Sequence, residues 1–200
     1  MTVPAARIKE LRQATGAGVL ECRKALEDSG GDLERAKALL HERGQAAAAR
    51  RAGREVHDGV VDLYSHGGGR VGVMVEVNCE TDFVARTPEF RHFAHEVALQ
   101  VAASAPRWVR AEDVPQEVVD GQRRDAREST AQEGKPETVI ERIVEGRLAK
   151  FLDEHCLLRQ VYIRDDRKTV AELLQETIAA TGENVAIRRF KRWSVGEPES

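Results

Sequence analysis

No stretch of this 200-residue chain approaches the ~20 consecutive apolar residues of a membrane-spanning helix. The opening Met1-Thr2-Val3-Pro4 lacks the basic and apolar regions of a secretory signal, so a soluble, cytoplasmic protein is expected. There is no basic excess either. Lys plus Arg number 31 against 34 Asp plus Glu, whereas general binding to nucleic acid or a membrane surface wants a large positive surplus. Cysteines are few, odd in number and scattered (Cys22, Cys79, Cys156), which suits free, buried thiols in a reducing compartment.

Signatures of chemistry are missing as well. No G-x-x-x-x-G-K-[ST] occurs, so the chain has no phosphate-binding loop of its own. Gly67, Gly69 and Gly72 match G-x-G-x-x-G in spacing, but they lead into Val73, Met74 and Val75. A dinucleotide fingerprint must instead open a helix, and the match is rejected. His92 and His95 lie three apart on a predicted helix with no suitably spaced third ligand, which fits two solvent-side histidines better than a metal site. None of the cysteines has a histidine near it in sequence with an orienting residue. Acidic residues alternate with arginine along helices, as on solvated faces. No enzyme activity, resident metal or cofactor is expected. A binding protein fits better.

What is present is the composition of a packed core under a charged surface, with 41% hydrophobic and 32% charged residues. Three short helices are predicted first. One carries Ile8 and Leu11 and stops at Gly16-Ala17-Gly18. The next has Val19, Cys22 and Leu26 on one face, and the third is capped by Asp32 and stops at Gly44. A module of ~40 residues with so few anchors is marginal alone, and docking on a partner suits it. The glycine turn at 16–18 is either a tight inter-helix turn or a place of close backbone approach. The Ala- and Arg-rich run that follows (Ala46–Ala49, Arg50, Arg51, Arg54) reads as a semi-rigid helical linker, a nucleic-acid arm being the alternative. Next come a hairpin of 59–65 and 70–78, and a helix carrying Phe90, Phe93, Val97, Ala98 and Val101 that ends before Pro106. A polar helix broken at Gly134 and an amphipathic helix from Pro136 follow. The chain ends as a strand over 157–163, a turn at Asp165-Asp166, a helix opened by Thr169 and Glu172, and a strand over 185–193. That last strand bears Arg188, Arg189, Lys191 and Arg192 and is either a charged edge or a nucleic-acid stripe. The class expected is α+β, a small antiparallel sheet packed against helices, with domains 1–45, a linker 46–58 and a core 59–200.

Between the hairpin and the long helix lies Asn78-Cys79-Glu80-Thr81-Asp82-Phe83-Val84-Ala85-Arg86. Val71, Val73, Val75 and Val77 alternate before it, and Thr87-Pro88-Glu89 opens a helix after it. It is a short, rigidly held corner. One reading has Phe83 and Val84 plugging the core while Glu80 and Asp82 face water. The other has Phe83 and Asp82 held out to a partner as a wedge. Pattern alone accommodates both.

The run Leu11-Arg12-Gln13-Ala14-Thr15-Gly16-Ala17-Gly18, continued by Cys22-Arg23-Lys24-Ala25-Leu26 and Gly31-Asp32, closely resembles the N-terminal ubiquitin-associated-like module of bacterial elongation factor Ts proteins. The corner is similar to that family's central signature, and Gly182-Glu183-Asn184 with Arg188-Arg189-Phe190 resembles its C-terminal strand motif. The chain looks like the short form, without a second half-core or coiled-coil insertion. The resemblance implies a guanine-nucleotide exchange factor for elongation factor Tu. Thr81, Asp82, Phe83 and Val84 would disturb the partner's Mg²⁺ and phosphate site, with Phe83 inserted between partner helices. Arg12, Thr15, Gly16, Gly18 and Val19 would dock on the same GTPase domain. The sheet end of the core would meet another domain of the partner. Some short members pair through their C-terminal strands; here no cysteine lies beyond Cys156 to bridge them. Two other readings compete: an adaptor whose three-helix module binds ubiquitin-like or helical ligands, and an RNA-associated factor using Arg188–Arg192 and Arg50-Arg51.

Overall fold

The computed structural model describes residues 3–131 and 136–197, so the helix break expected at Gly134 lies outside the described residues. In chain order the N-terminal elements are α1 (Ala5–Thr15), α2 (Val19–Asp28) and α3 (Leu33–Arg51). Then come β1 (Asp58–His66), β2 (Val71–Cys79), α4 (Asp82–Ala85), α5 (Pro88–Ser104), α6 (Gln116–Ala131) and α7 (Glu137–His155). Strands β3 (Val161–Tyr162) and β4 (Asp165–Thr169), helix α8 (Val170–Thr181) and strand β5 (Val185–Ser194) complete the chain. The class is α+β, as expected. Two compact units are present. One comprises Met1–Asp62, Glu76–Glu96 and Glu172–Arg188; the other comprises Leu63–Val75, Val97–Ala171 and Arg189–Ser200.

In the first unit, Leu11, Cys22, Ala25, Leu26 and Ala36 form a small core, edged by Ile8, Leu33 and Leu40. Helix α1 ends because Gly16 turns left-handed, at φ 68°, and returns its N–H to the Arg12 carbonyl at 2.8 Å. The Asp32 carboxylate accepts from the Arg35 N–H at 2.8 Å and starts α3. That helix does not stop at Gly44. Gly44 is not among the glycines of positive φ, and the alanines after it carry the helix on to Arg51.

A three-stranded antiparallel sheet has the order β1-β2-β5, so the basic strand β5 is an edge. Along β2, Val73, Val75, Val77 and Cys79 are buried while Met74 is exposed, the expected period of two. Helix α5 opens on Pro88, with the Thr87 hydroxyl accepting from the Phe90 N–H at 3.3 Å, and it buries Phe90, Phe93, Val97, Ala98 and Val101.

In the second unit, α6 and α7 share a core of Ala126, Ile140 and Val144. Solvated ion pairs Arg127–Glu137 and Arg123–Glu145 link the two antiparallel helices at the surface. The C-terminal segment departs from expectation. Residues Leu157–Arg159 form a 3₁₀ turn rather than a strand, because the Leu157 and Leu158 N–H groups are drawn to the carbonyls of Trp108 and Val109, at 2.9 and 3.0 Å. Asp165 and Asp166 open β4 instead of turning the chain; Tyr162 pairs with Asp165, leaving residues 163–164 as the turn. Buried Gln100 holds this hairpin from α5. Its Oε1 accepts from the Ile163 N–H at 2.9 Å and its Nε2 donates to the Val161 carbonyl at 3.1 Å.

Gly59 tests the packing of β1 on β2. At φ 153° an added Cβ would sit 2.1 Å from the Val77 carbonyl oxygen and 2.8 Å from the Asn78 Cα, both of them backbone. Gly59→Ala is expected to lower unfolding free energy by about 2 kcal/mol or more, read from urea denaturation followed by circular dichroism.

Candidate functional site

The corner begins where β2 ends in buried Cys79, and Thr81 then caps α4. Thr81 is extended, at φ −133° and ψ 156°, and its hydroxyl oxygen accepts from the Val84 N–H at 3.5 Å. Helix α4 has only four residues, and one of them, Ala85, is buried at 6% exposure. Successive helical residues are ~100° apart, so Phe83 lies about 200° from Ala85, on the far side. The ring is accordingly 79% exposed. Of the two readings that pattern left open, the core plug is not what forms at Phe83. Val84 is half-buried, and Asp82 pairs with Arg86 at 2.7 Å in a largely solvated ion pair that contributes little to stability.

Glu80 does not simply face water. Its Oε1 accepts the Asn184 backbone N–H at 2.6 Å, and both carboxylate oxygens lie 3.3 Å from the Arg54 guanidinium. Glu183 answers from the other segment. Its Oε2 accepts the Thr81 N–H at 3.0 Å and its Oε1 accepts the Thr81 hydroxyl at 2.6 Å. The Asn184 side-chain amide donates to the Arg54 carbonyl at 2.8 Å. Residues 80–81 and 183–184 therefore exchange backbone donors for carboxylates in both directions. Sequence reasoning missed this brace, although Glu183 and Asn184 were noticed as a motif. No local periodicity connects positions about a hundred residues apart.

The Asn184 N–H, and after it the Arg54 charge, hold the Glu80 carboxyl below the ordinary glutamate range. Beneath the corner, burial and then the Glu183 charge push the Cys79 thiol up to about 11, and its S–H donates to the Thr81 carbonyl at 3.2 Å. A thiol held protonated is a poor nucleophile.

The other expected contact residues gather at the α1–α2 turn. The Thr15 hydroxyl donates to the Leu11 carbonyl at 2.7 Å, Gly16 is left-handed, and the Gly18 N–H donates to Glu21 Oε2 at 3.3 Å. Arg12 is exposed on the last turn of α1. Val19 is 50% exposed, and beside it Leu20, which sequence reasoning overlooked, is 70% exposed. The signal was available: Leu20 falls outside the apolar face of Cys22, Ala25 and Leu26. Elsewhere in the first unit His95 Nδ1 lies 3.2 Å from Asp62, and among the described residues no group of three or more His, Cys, Asp or Glu is placed to hold a metal. In the second unit Arg192 is tied to Glu197, at 2.6 and 2.8 Å, and to the Ala102 carbonyl at 3.3 Å.

An exposed ring on a braced corner and an exposed aliphatic pair beside a glycine turn suit protein docking better than catalysis. The family model described as Elongation factor TS matches residues 31–197. The chain is 55% identical over 195 residues to Elongation factor Ts of Caldanaerobacter subterraneus subsp. tengcongensis, covering 98% of each. It is 54% identical over 195 residues to that of Thermoanaerobacter pseudethanolicus, and 51% over 197 residues to that of Coprothermobacter proteolyticus. The chain belongs to the elongation factor Ts family. The family model leaves out residues before 31, but the relatives' matches cover 98% of the chain and so take in the turn from Gly16 to Val19.

The Glu80 shift fixes a pH dependence. A carboxyl whose folded value is depressed stabilises the fold fully above its unfolded value, near 4.5, and loses that contribution as pH falls through the lower folded value. Glu80→Gln should therefore destabilise the protein at neutral pH, and the gap to wild type should narrow as pH drops below the ordinary glutamate range. Urea midpoints measured across that range check it; a constant gap would mean the carboxylate charge is not what matters.

Proposed function

We propose that this chain promotes GDP release from elongation factor Tu, acting in the cytoplasm as a guanine-nucleotide exchange factor rather than as an enzyme. The observation that carries this reading is the 79% exposure of Phe83 on a corner tied down on both sides. Thr81, Asp82, Phe83 and Val84 meet the partner's GTPase domain near its Mg²⁺ and phosphate site, the ring entering between partner helices and Asp82 adding negative charge beside the cation. Arg12, Thr15, Gly16, Gly18 and Val19 dock the three-helix module, residues 1–45, on the same domain, with 46–58 as its tether. Such a factor alters no bond. It binds empty partner more tightly than nucleotide-bound partner, and whatever it gains on the empty state is lost from GDP affinity. Weakening GDP ~10³-fold requires about 4 kcal/mol, the order of one buried aromatic anchor plus a loosened Mg²⁺. The chain brings no cofactor, and no membrane or nucleic acid enters this scheme.

A second copy is the further partner in this reading. Leu63, Met74 and Trp193 are 71%, 42% and 56% exposed in the strands of the sheet, and pairing through the C-terminal strands would cover such groups. Cys156 is fully buried, so no disulfide takes part.

Two measurements check these statements. With catalytic amounts of the protein, fluorescent GDP should leave elongation factor Tu faster, and Phe83→Ala should cut that acceleration by about tenfold or more with the fold intact by circular dichroism. Full activity in Phe83→Ala would remove the wedge. In sedimentation equilibrium the wild type should be a dimer and Trp193→Glu a monomer; a monomeric wild type ends the pairing proposal.

A further inference from the structure

We infer that Glu183 is a positioning residue for the exchange corner, holding in place the helix from which Phe83 projects. The inference rests on the exchange-factor reading of that corner. Helix α4 is one turn long, and its only side-chain cap, Thr81 Oγ1 to the Val84 N–H, is a long 3.5 Å. A contact of that length is weak alone. Glu183 supplies what it lacks. It accepts both the backbone N–H and the hydroxyl of Thr81, at 3.0 and 2.6 Å, and hydrogen bonds to a carboxylate are the stronger kind. With the hydroxyl proton committed to Glu183, the Thr81 oxygen keeps its lone pairs for Val84.

Glu183 is itself held. The next residue, Asn184, gives its N–H to Glu80 at 2.6 Å and its side-chain amide to the Arg54 carbonyl at 2.8 Å. Both segments are therefore fixed before any partner arrives. Without Glu183 the Thr81 N–H and hydroxyl lose their acceptor, the cap turn is free to rotate, and Phe83 is presented in many orientations instead of one. The cost falls on partner engagement, because ordering the ring must then accompany binding.

The test uses the full chain, elongation factor Tu and fluorescent GDP, with Glu183→Ala, Glu183→Gln, Phe83→Ala and the double variant Phe83→Ala with Glu183→Ala. Glu183→Ala should lower the acceleration of GDP release about tenfold, the loss of two charge-assisted hydrogen bonds. Glu183→Gln should recover most of it, since its carbonyl can accept the Thr81 N–H while its amide donates to the hydroxyl oxygen. Because Glu183 acts through the ring, the double variant should be slower than Phe83→Ala alone by no more than about twofold. Amide hydrogen exchange at Val84 and Ala85 should quicken about tenfold in Glu183→Ala while amides in the middle of α5 keep their protection.

A fully active Glu183→Ala overturns the inference, and so do losses that multiply in the double variant. Uniformly faster amide exchange across the chain would reduce Glu183 to a stabilising residue and overturn it too. Should Glu183→Ala fail to fold, Glu183→Met, which keeps the length of the side chain but offers Thr81 no carboxylate, takes its place with the same expected outcomes. If Phe83→Ala proves fully active, the exchange-factor reading falls separately; unchanged protection at Val84 and Ala85 in Glu183→Ala would then refute the positioning role by itself.

Discussion

A helix of four residues cannot sustain itself. Forming one turn fixes several dihedrals for a single backbone hydrogen bond, so α4 exists only because its surroundings impose it. Strand β2 delivers the chain with Cys79 buried, Ala85 is pressed into the interior, and Thr87 accepts at the start of α5 what α4 cannot. Between these anchors Thr81 is gripped by Glu183. Once Ala85 is inside, the ~100° helical step leaves Phe83 no choice but to point away. An outward phenylalanine forgoes the roughly 1.5–3 kcal/mol that burying it would contribute. That amount is still available when a partner covers the ring.

The brace also explains how the two surfaces proposed to meet a partner come to share one compact unit. Arg54 lies just past the end of α3, the last helix of the N-terminal module. Its guanidinium meets Glu80 and its carbonyl accepts from Asn184. The chain leaving the module is thus tied to the same four residues that hold the corner. In this geometry the glycine turn bearing Val19 and Leu20 and the corner bearing Phe83 are not independent attachments on a loose string. Two sites joined stiffly raise each other's effective concentration on a common target, provided their spacing matches it.

Local pattern carried much of this. The alternating valines of β2, the Thr87-Pro88 start of α5 and the apolar stripe of Phe90, Phe93, Val97 and Val101 were legible because strand and helix periods are printed in adjacent residues. What failed was decided at a distance. Gly44 looks like a terminator, yet a glycine ends a helix only when the backbone turns left-handed, and here it does not. Residues 157–159 run into the β-rich Val161-Tyr162-Ile163, but the carbonyls of Trp108 and Val109 recruit the Leu157 and Leu158 amides and the segment closes into a 3₁₀ turn. Glu80 reads as a solvated acid until Asn184 and Arg54 are seen beside it. The orientation of Phe83 was undecidable from the corner's own residues, since a ring beside a valine suits a core as well as a wedge. Burial of Ala85 settles it, and nothing in the sequence of the corner announces that Ala85 is the residue that goes in.

The distribution of large apolar groups closes the argument. With nine aromatic residues in all, five of them phenylalanine, the chain has little ring area to place. Phe90 and Phe93 are sealed in the interior, as energetics would have it, whereas Phe83, Trp193, Leu20 and Leu63 stand more than half exposed. Single exposed hydrophobics need no explanation, but a ring held outward on a corner braced by hydrogen bonds among Arg54, Glu80, Thr81, Glu183 and Asn184 does. A flexible surface phenylalanine would fold back onto its own chain and recover part of its burial. Holding it still prevents that collapse and keeps the ring's hydration cost intact. The rigidity of the corner and the exposure of its ring are therefore one property, and removing either would leave a surface with less to gain from being covered.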